Sequence, residues 1–273
     1  MKNKVISTLH KLLGFENYLF VFALFIYYKL RWDKNEKDFL KIFDLINKEG
    51  VVVDIGANIG VMTAHFANKL QKSTILSFEP IPSNINTFKR VSKFFRLTNI
   101  KLFELALSDF EGETNMIMPV VGSAKKHGLS HVAEQTEGNE QGEIFQVAVN
   151  KLDNITEITQ SNKPITAIKI DVEGHEFQVL KGAVNTITKY KPVIYCELWD
   201  SEQRQEIIEF VKSLNYTCKV VVDNKLCDFA DQAKQNFYFI PNEFQDEGFI
   251  KMNDFCLRRD EKAKDSLVTL HYS

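Results

Sequence analysis

Three acids stand close together in the stretch Ile168-Lys169-Ile170-Asp171-Val172-Glu173-Gly174-His175-Glu176, where a β-branched run gives way to helix-forming residues. Carboxylates in such a turn can orient a hydroxyl group and take its proton, which contributes about 10²–10⁴-fold to a reaction rate. Asp171 and Glu173 are alternate residues and can face one crevice together. Glu176 also suits the first turn of a helix, where the helix dipole favours an acid. His175, and His127 and His131 further up the chain, are other groups able to move a proton near neutral pH. A lone histidine is more often a surface or core residue, so Asp171 and Glu173 are the preferred bases and His131 a loop-borne alternative. Grouped acids can also hold a divalent metal, but no closed ligand set accompanies these, and no metal is expected.

Two further stretches could hold a small molecule. Asp54-Ile55-Gly56-Ala57-Asn58-Ile59-Gly60 follows Val51-Val52-Val53 directly. Gly56 allows a tight turn and close approach of the backbone to a ligand. The helix expected to begin near Ile59 offers N–H groups to a carboxylate, and Asp54 can accept from an ammonium. One small molecule with both groups is an amino acid, and S-adenosylmethionine ends in one; the plain alternative is a structural turn. Phe78-Glu79-Pro80 lies about 20 residues beyond Gly60, at the end of a second apolar run. An acid there can accept from both hydroxyls of a ribose, and Pro80 stiffens the turn that presents it. A dinucleotide fingerprint begun at Gly56 would need glycine at positions that hold Asn58 and Val61, so it fails twice.

These residues need a scaffold that brings the ends of several strands together. The periodicity predicts an amphipathic helix over 33–47 and a strand at Val51–Val53. A helix over 59–70, a strand over 74–78, a helix over 83–95 and a strand over 101–105 follow. Later strands are expected at 165–170, 193–197, 217–222 and 237–240, with helices over 176–190 and 202–214. Alternation of this kind implies a mostly parallel sheet with helices on both faces, whose carboxyl edge carries the ligand site. Residues 110–146 hold five glycines among polar residues. They read as the weakest stretch for regular structure, a long excursion containing a hairpin, with 114–146 a mobile lid that selects the acceptor.

The motifs VVVDIGANIGVMT, FEP at 78–80, ALSDFEGE at 106–113, KLDNI at 151–155, IKIDVEGHEFQVLKGA at 168–183, PVIYCEL at 192–198 and NFYFIP at 236–241 together resemble the FkbM family of class I methyltransferases, over roughly residues 50 to 241. The resemblance implies a Rossmann-like α/β fold, with a seven-stranded mostly parallel sheet and a reversed last strand. It also implies methyl transfer from S-adenosylmethionine to a hydroxyl oxygen of a sugar, glycan or secondary metabolite. By the same likeness Asp54, Gly56, Ala57, Asn58 and Gly60 line the methionine end of the donor and Glu79 with Pro80 holds the ribose. Ser108 and Asp109 sit at the adenine, and Asp171 lies near the sulfonium. The expected organisation is an N-terminal helical extension (1–48), the catalytic domain (49–241) and a tail (242–273).

The composition is compatible with that reading and excludes others. A chain of 273 residues with net charge -2 suits one α/β domain and shows no basic stripe for nucleic acid. Cys196, Cys218, Cys227 and Cys256 form no CxxC pair and are expected as reduced thiols in the cytoplasm. The uncharged run Tyr18–Tyr28 is about half the roughly 20 residues that a spanning helix needs. It is therefore expected either as a helix packed in the core or as one lying in a membrane interface, with Lys29, Arg31 and Trp32 at its end. A nicotinamide-dependent oxidoreductase and a non-catalytic binding module on the same fold are the competing function classes.

Overall fold

The computed structural model describes residues 12–33, 36–121, 124–125, 131–132, 142–230 and 232–245. Strands β1 (Val51–Ile55), β2 (Thr74–Phe78) and β3 (Ile100–Phe103) run parallel on one side of the main sheet. After the hairpin region come β9 (Ile165–Ile170) and β10 (Val193–Glu197), also parallel, then β11 (Tyr216–Val222), β12 (Lys225–Asp228) and β13 (Asn236–Pro241). The order across the sheet is β12-β11-β13-β10-β9-β1-β2-β3. β13 is antiparallel to both β10 and β11, and β12 is antiparallel to β11, so the last strand of the chain and the edge strand β12 are the reversed ones. This is the expected Rossmann-like sheet with an eighth strand added. The addition comes from a two-residue turn at Asp223 and Asn224, with φ of 48° and 63°. Positive φ at both turn positions matches the twist of a tight hairpin, and Asp and Asn tolerate it better than most side chains.

Every residue of β1 and β9 is buried, as expected of central strands covered on both faces. One face, with Val53, Ile55, Ile168, Ile170, Ile194 and Phe239, packs against the helices Glu176–Lys181, Val184–Tyr190 and Glu202–Ser213. The opposite face, with Val52, Ala167, Val193, Tyr195 and Tyr238, is covered by Phe39, Ile42, Leu45 and Phe66.

Two helices differ from the sequence reading. The apolar residues of 33–47 are buried as expected, but they sit on a 3-10 turn (Glu36–Lys41) and a four-residue helix (Ile42–Leu45). The Tyr238 hydroxyl lies 2.7 Å from the Asp38 carbonyl and 3.1 Å from that of Phe39, which ties this segment to the sheet. The helix expected over 176–190 breaks at Gly182, where a Cβ would meet the Ser108 carbonyl oxygen at 1.9 Å. Asp153 restarts it, accepting from the N–H groups of Asn185 and Thr186 at 2.8 Å each.

The excursion is more regular than its composition suggests. β5 (Gly112–Val121) and β8 (Gly142–Asn150) form an antiparallel pair in register from Gly112 against Val149 to Pro119 against Gly142. β4 (Ala106–Leu107) joins β8, while β6 (Ala124–Lys125) and β7 (His131–Val132) join β5. Met116, Met118 and Val147 bury one side of this second sheet against Ile81, just beyond the Glu79 turn. Gly112 and Gly142 are strand ends, while Gly122, Gly128 and Gly138 lie outside the described residues. His127 and residues 133–141 lie outside the described residues.

Candidate active site at the carboxyl edge of the sheet

Lys169 is the cation around which the site is built. Its side chain is 2% exposed, on β9 between β1 and β10. The Nζ lies 3.3 Å from Asp54 Oδ1 and 3.4 Å from Asp171 Oδ2, and donates to the Gly56 carbonyl at 2.7 Å. Burial alone would push this lysine down; the Asp54 and Asp171 carboxylates outweigh it and hold the ammonium above its ordinary value. Asp54 is fully buried, and Thr63 donates to its Oδ2 at 2.5 Å. Asp54, the expected acceptor for a ligand ammonium, holds Lys169 and Thr63 in this structure, and its Oδ1 is buried without a hydrogen-bond partner among the described residues. A lysine in the middle of the apolar run Ile168–Ile170 was itself a signal, because a buried lysine needs partners.

Gly56 follows, at φ 72°, and a Cβ there would meet the Asp171 carbonyl oxygen at 1.9 Å. The two strand ends thus approach more closely than any side chain allows, and the cleft opens above their junction. It is lined by Gly56, Asn58, Glu79, Pro80, Asn84, Asp171 and Glu173, with Leu105, Ala106 and Met116 as apolar walls. Glu79 is 4% exposed, and its carboxylate is already well supplied. Oε2 accepts from the Asn58 N–H at 2.8 Å, and Oε1 accepts from the Ile81 N–H at 3.0 Å and the Asn84 amide at 3.1 Å. Burial raises the Glu79 carboxyl, and these three donors pull it back. Three of its roughly four lone-pair positions are therefore taken, leaving about one for a ligand. Two more acceptors, Asn58 Oδ1 and Asn84 Oδ1, are buried without a hydrogen-bond partner among the described residues. Unpaired buried acceptors beside a cleft fit a ligand rich in hydroxyl or ammonium donors.

The acid turn divides its work. Glu176 is 3% exposed and accepts from the N–H groups of Val172 at 3.3 Å and Gly174 at 3.1 Å, so it ties the turn together. Asp171 and Glu173 line the cleft, with Glu173 held at φ 52°. His175 lies with Nε2 2.9 Å from the Ser108 hydroxyl, which also donates to Asp109 at 3.2 Å. Ser108 is 1% exposed, and the chain presents the preceding Leu105 and Ala106 to the cleft. Ala57 and Gly60 belong to the turn below it: the Ala57 N–H donates to the Phe78 carbonyl, and Gly60, at φ 83°, packs on Phe88. The backbone of His131 pairs with Ile117 in β7; its side chain is outside the described structure. Among the described residues no group of His, Cys, Asp and Glu is arranged to hold a metal ion.

Two acids escaped the sequence reading. Glu197 ends β10, next to Asp171 at the end of β9, and the rule that placed Asp171 at the sheet edge applies to it equally. Glu36 comes from the 3-10 turn on the face below, and no local pattern announces it. Both carboxyls are raised, first by burial and then by the Asp171 charge. Glu197 is pushed up to about 8, with Glu36 and Glu173 adding to the effect and Lys169 opposing it. Folding then takes up a proton between the ordinary glutamate value of 4.5 and about 8, so stability falls as pH rises through that window. Glu197→Gln is expected to melt a few degrees above the wild type at about pH 8.5 and with it at about pH 4.5. Thermal unfolding at both values checks this; an equal difference at the two would remove Glu197 as the titrating group.

Among the cysteines, Cys196 and Cys218 are free and buried, as expected of reduced thiols. Cys227, on the edge strand β12, is disulfide-bonded, with its partner outside the described residues; the expectation of a reduced thiol is corrected there.

The relatives found by comparison with known proteins are named as methyltransferases. The model of the methyltransferase FkbM domain matches residues 54–218. A hexuronic acid methyltransferase, AglP, from Haloferax volcanii is 24% identical over 210 residues, covering 77% of this chain and 81% of that protein. A 2-O-methyltransferase, NoeI, from Sinorhizobium fredii is 30% identical over 172 residues, covering 59% and 69%. Methyltransferase 1 of Beauveria bassiana is 27% identical, and the chain spans 66% of its length. Among solved structures, an FkbM methyltransferase from Methylobacillus flagellatus is 18% identical, with a TM-score of 0.45 over 70% of this chain and 43% of that one. The domain match runs from Asp54 through Glu79 and the acid turn to Cys218, and the chain belongs to the FkbM methyltransferase family.

Proposed function

We propose that this enzyme transfers a methyl group from S-adenosylmethionine to a hydroxyl oxygen of a sugar, glycan or secondary metabolite. The observation that carries the reading is the two-sided cleft. Glu79, Asn58 and Asn84 offer acceptors on one side of the Gly56 turn, and Asp171 with Glu173 offers carboxylates on the other. The hexuronic acid and 2-O specificities named for the Haloferax and Sinorhizobium relatives favour a sugar hydroxyl.

S-adenosylmethionine supplies an electrophilic methyl group on a sulfonium whose leaving group departs neutral. The protein has then to hold the donor, aim a hydroxyl at it and remove one proton, which is mainly a matter of orientation. Glu79 takes a single ribose hydroxyl, not both, with Pro80 fixing its turn. Gly56, Ala57, Asn58 and Gly60 keep the backbone low beneath the methionine end. Leu105 and Ala106 wall the adenine, with Ser108 and Asp109 supporting that wall from behind. Asp171 or Glu173 accepts the hydroxyl proton, and Lys169 fixes Asp171 in place.

Calorimetry on Glu79→Ala, together with transfer of labelled methyl groups to uronic acid and neutral sugar acceptors, tests this. One charge-assisted hydrogen bond of about 1.5–3 kcal/mol corresponds to roughly 10- to 150-fold weaker donor binding. Unchanged donor affinity would remove Glu79 from the ribose, and a thermal shift with NAD instead of S-adenosylmethionine would remove the donor assignment itself.

A further inference from the structure

The helix Phe15–Lys29 is apolar on two sides, and the domain uses only one of them. Tyr18, Leu19 and Ala23 are buried inward. Ala23 packs with Ile59, Val61, Ala64 and Val91. The helix is fastened at both ends. His65 stacks on Tyr27 at 4.1 Å, and Arg90 reaches the Glu16 carbonyl at 3.1 Å and the Asn17 side chain at 3.0 Å. Burial pushes His65 down to about 4, so the stacked ring is neutral at physiological pH. The outer face is therefore not a by-product of a loosely held helix.

That outer face carries Val21, Phe25, Tyr28 and Trp32, exposed by 54%, 59%, 55% and 73%. Spacings of four, three and four put them on one stripe of the helix and its 3-10 continuation. Lys29 and Arg31 flank the stripe, about a quarter-turn to either side at 100° per residue. The eleven residues before the described part hold Lys2, Lys4 and Lys11 and no acid.

We propose that this stripe docks the enzyme on an anionic membrane surface, with the helix lying in the plane of the interface. Aromatic residues between basic ones suit the boundary between headgroups and acyl chains, where lysine and arginine extend their charges to the lipid phosphates. At 15 residues the helix is about 22 Å long, short of the roughly 30 Å hydrocarbon core. No described helix is long and apolar enough to cross a membrane. A second copy of the chain fits the stripe less well. At these exposures its three aromatics offer about 300–450 Å², short of the ~800 Å² per partner that a stable protein interface buries.

This inference does not depend on the methyl-transfer reading and is tested apart from it. The full-length protein is floated with phosphatidylcholine vesicles with and without phosphatidylserine. Flotation is expected only with phosphatidylserine, and is expected to weaken with salt. The double substitution Phe25→Ser and Trp32→Ser should reduce it about tenfold or more while leaving the melting temperature in place, since both side chains are exposed. In a Trp199→Phe protein the emission of Trp32 should shift to the blue on adding the same vesicles. The proposal is overturned by absence of flotation, by flotation that the double substitution does not change, or by a dimer in light scattering that the double substitution dissociates.

Discussion

Lys169→Met is expected to destabilise the fold by about 3–5 kcal/mol, the range found when one partner of a buried ion pair is removed. Methionine matches the shape of the lysine stem, so little packing is lost. The cost comes from Asp54, which is fully buried and would lose its cation, with the Thr63 hydroxyl left beside it. The Gly56 carbonyl would lose its donor as well. Urea unfolding followed by circular dichroism reads the effect. Adding Asp54→Asn should restore much of the loss, because it removes the stranded charge. A single variant as stable as the wild type would show that Asp54 does not need its cation. Arginine is not a safe substitute, since its planar fork cannot reproduce a point charge shared by two carboxylates and a carbonyl.

Asp171→Asn and Glu173→Gln carry the largest expected effect on turnover. Whichever residue takes the acceptor proton should lose about 10²–10⁴ in kcat when it becomes an amide, with donor affinity little changed. The two substitutions also differ in what surrounds them. Asp171 lies 3.4 Å from Lys169, and its charge raises Glu197, so Asp171→Asn should also flatten the pH dependence of stability described above. Glu173 contributes less to that effect, and Glu173→Gln should leave most of it in place. Single-turnover rates and donor titrations separate the outcomes. If both variants turn over at the wild-type rate, neither acid is the base.

The parts of this molecule that were legible in the sequence are those set by local pattern. Buried β-branched runs gave β1, β9 and β10, and the glycine turn after β1 and the acid turn after β9 were readable because each sits at a strand end. What the sequence hid depends on partners far along the chain. Asp54 looks like a ligand acceptor until Lys169, 115 residues later, takes its charge. Glu79 looks free until Asn58 and Asn84 donate to it. The segment 33–47 has a distant partner of the same kind: the Tyr238 hydroxyl, 200 residues beyond Asp38, lies 2.7 Å from the Asp38 carbonyl. The glycines of 110–146 suggested irregularity, yet Gly112 and Gly142 are strand ends of a paired hairpin, and Gly142 packs directly on Ile117 and Met118.

The eighth strand matters for how the molecule behaves when concentrated. An open sheet has two edges, and each presents unpaired N–H and C=O groups on which another chain can build. Here one edge is β12, only four residues long, with Lys225 and Asp228 exposed on it. The other is β3, also four residues, with Lys101 exposed and paired to Glu157. A short, charged strand is a poor template for strand addition. Without the Asp223–Asn224 turn, the seven-residue β11, buried over most of its length, would form that edge. The hairpin therefore acts as a guard that keeps copies of the enzyme from joining sheet to sheet.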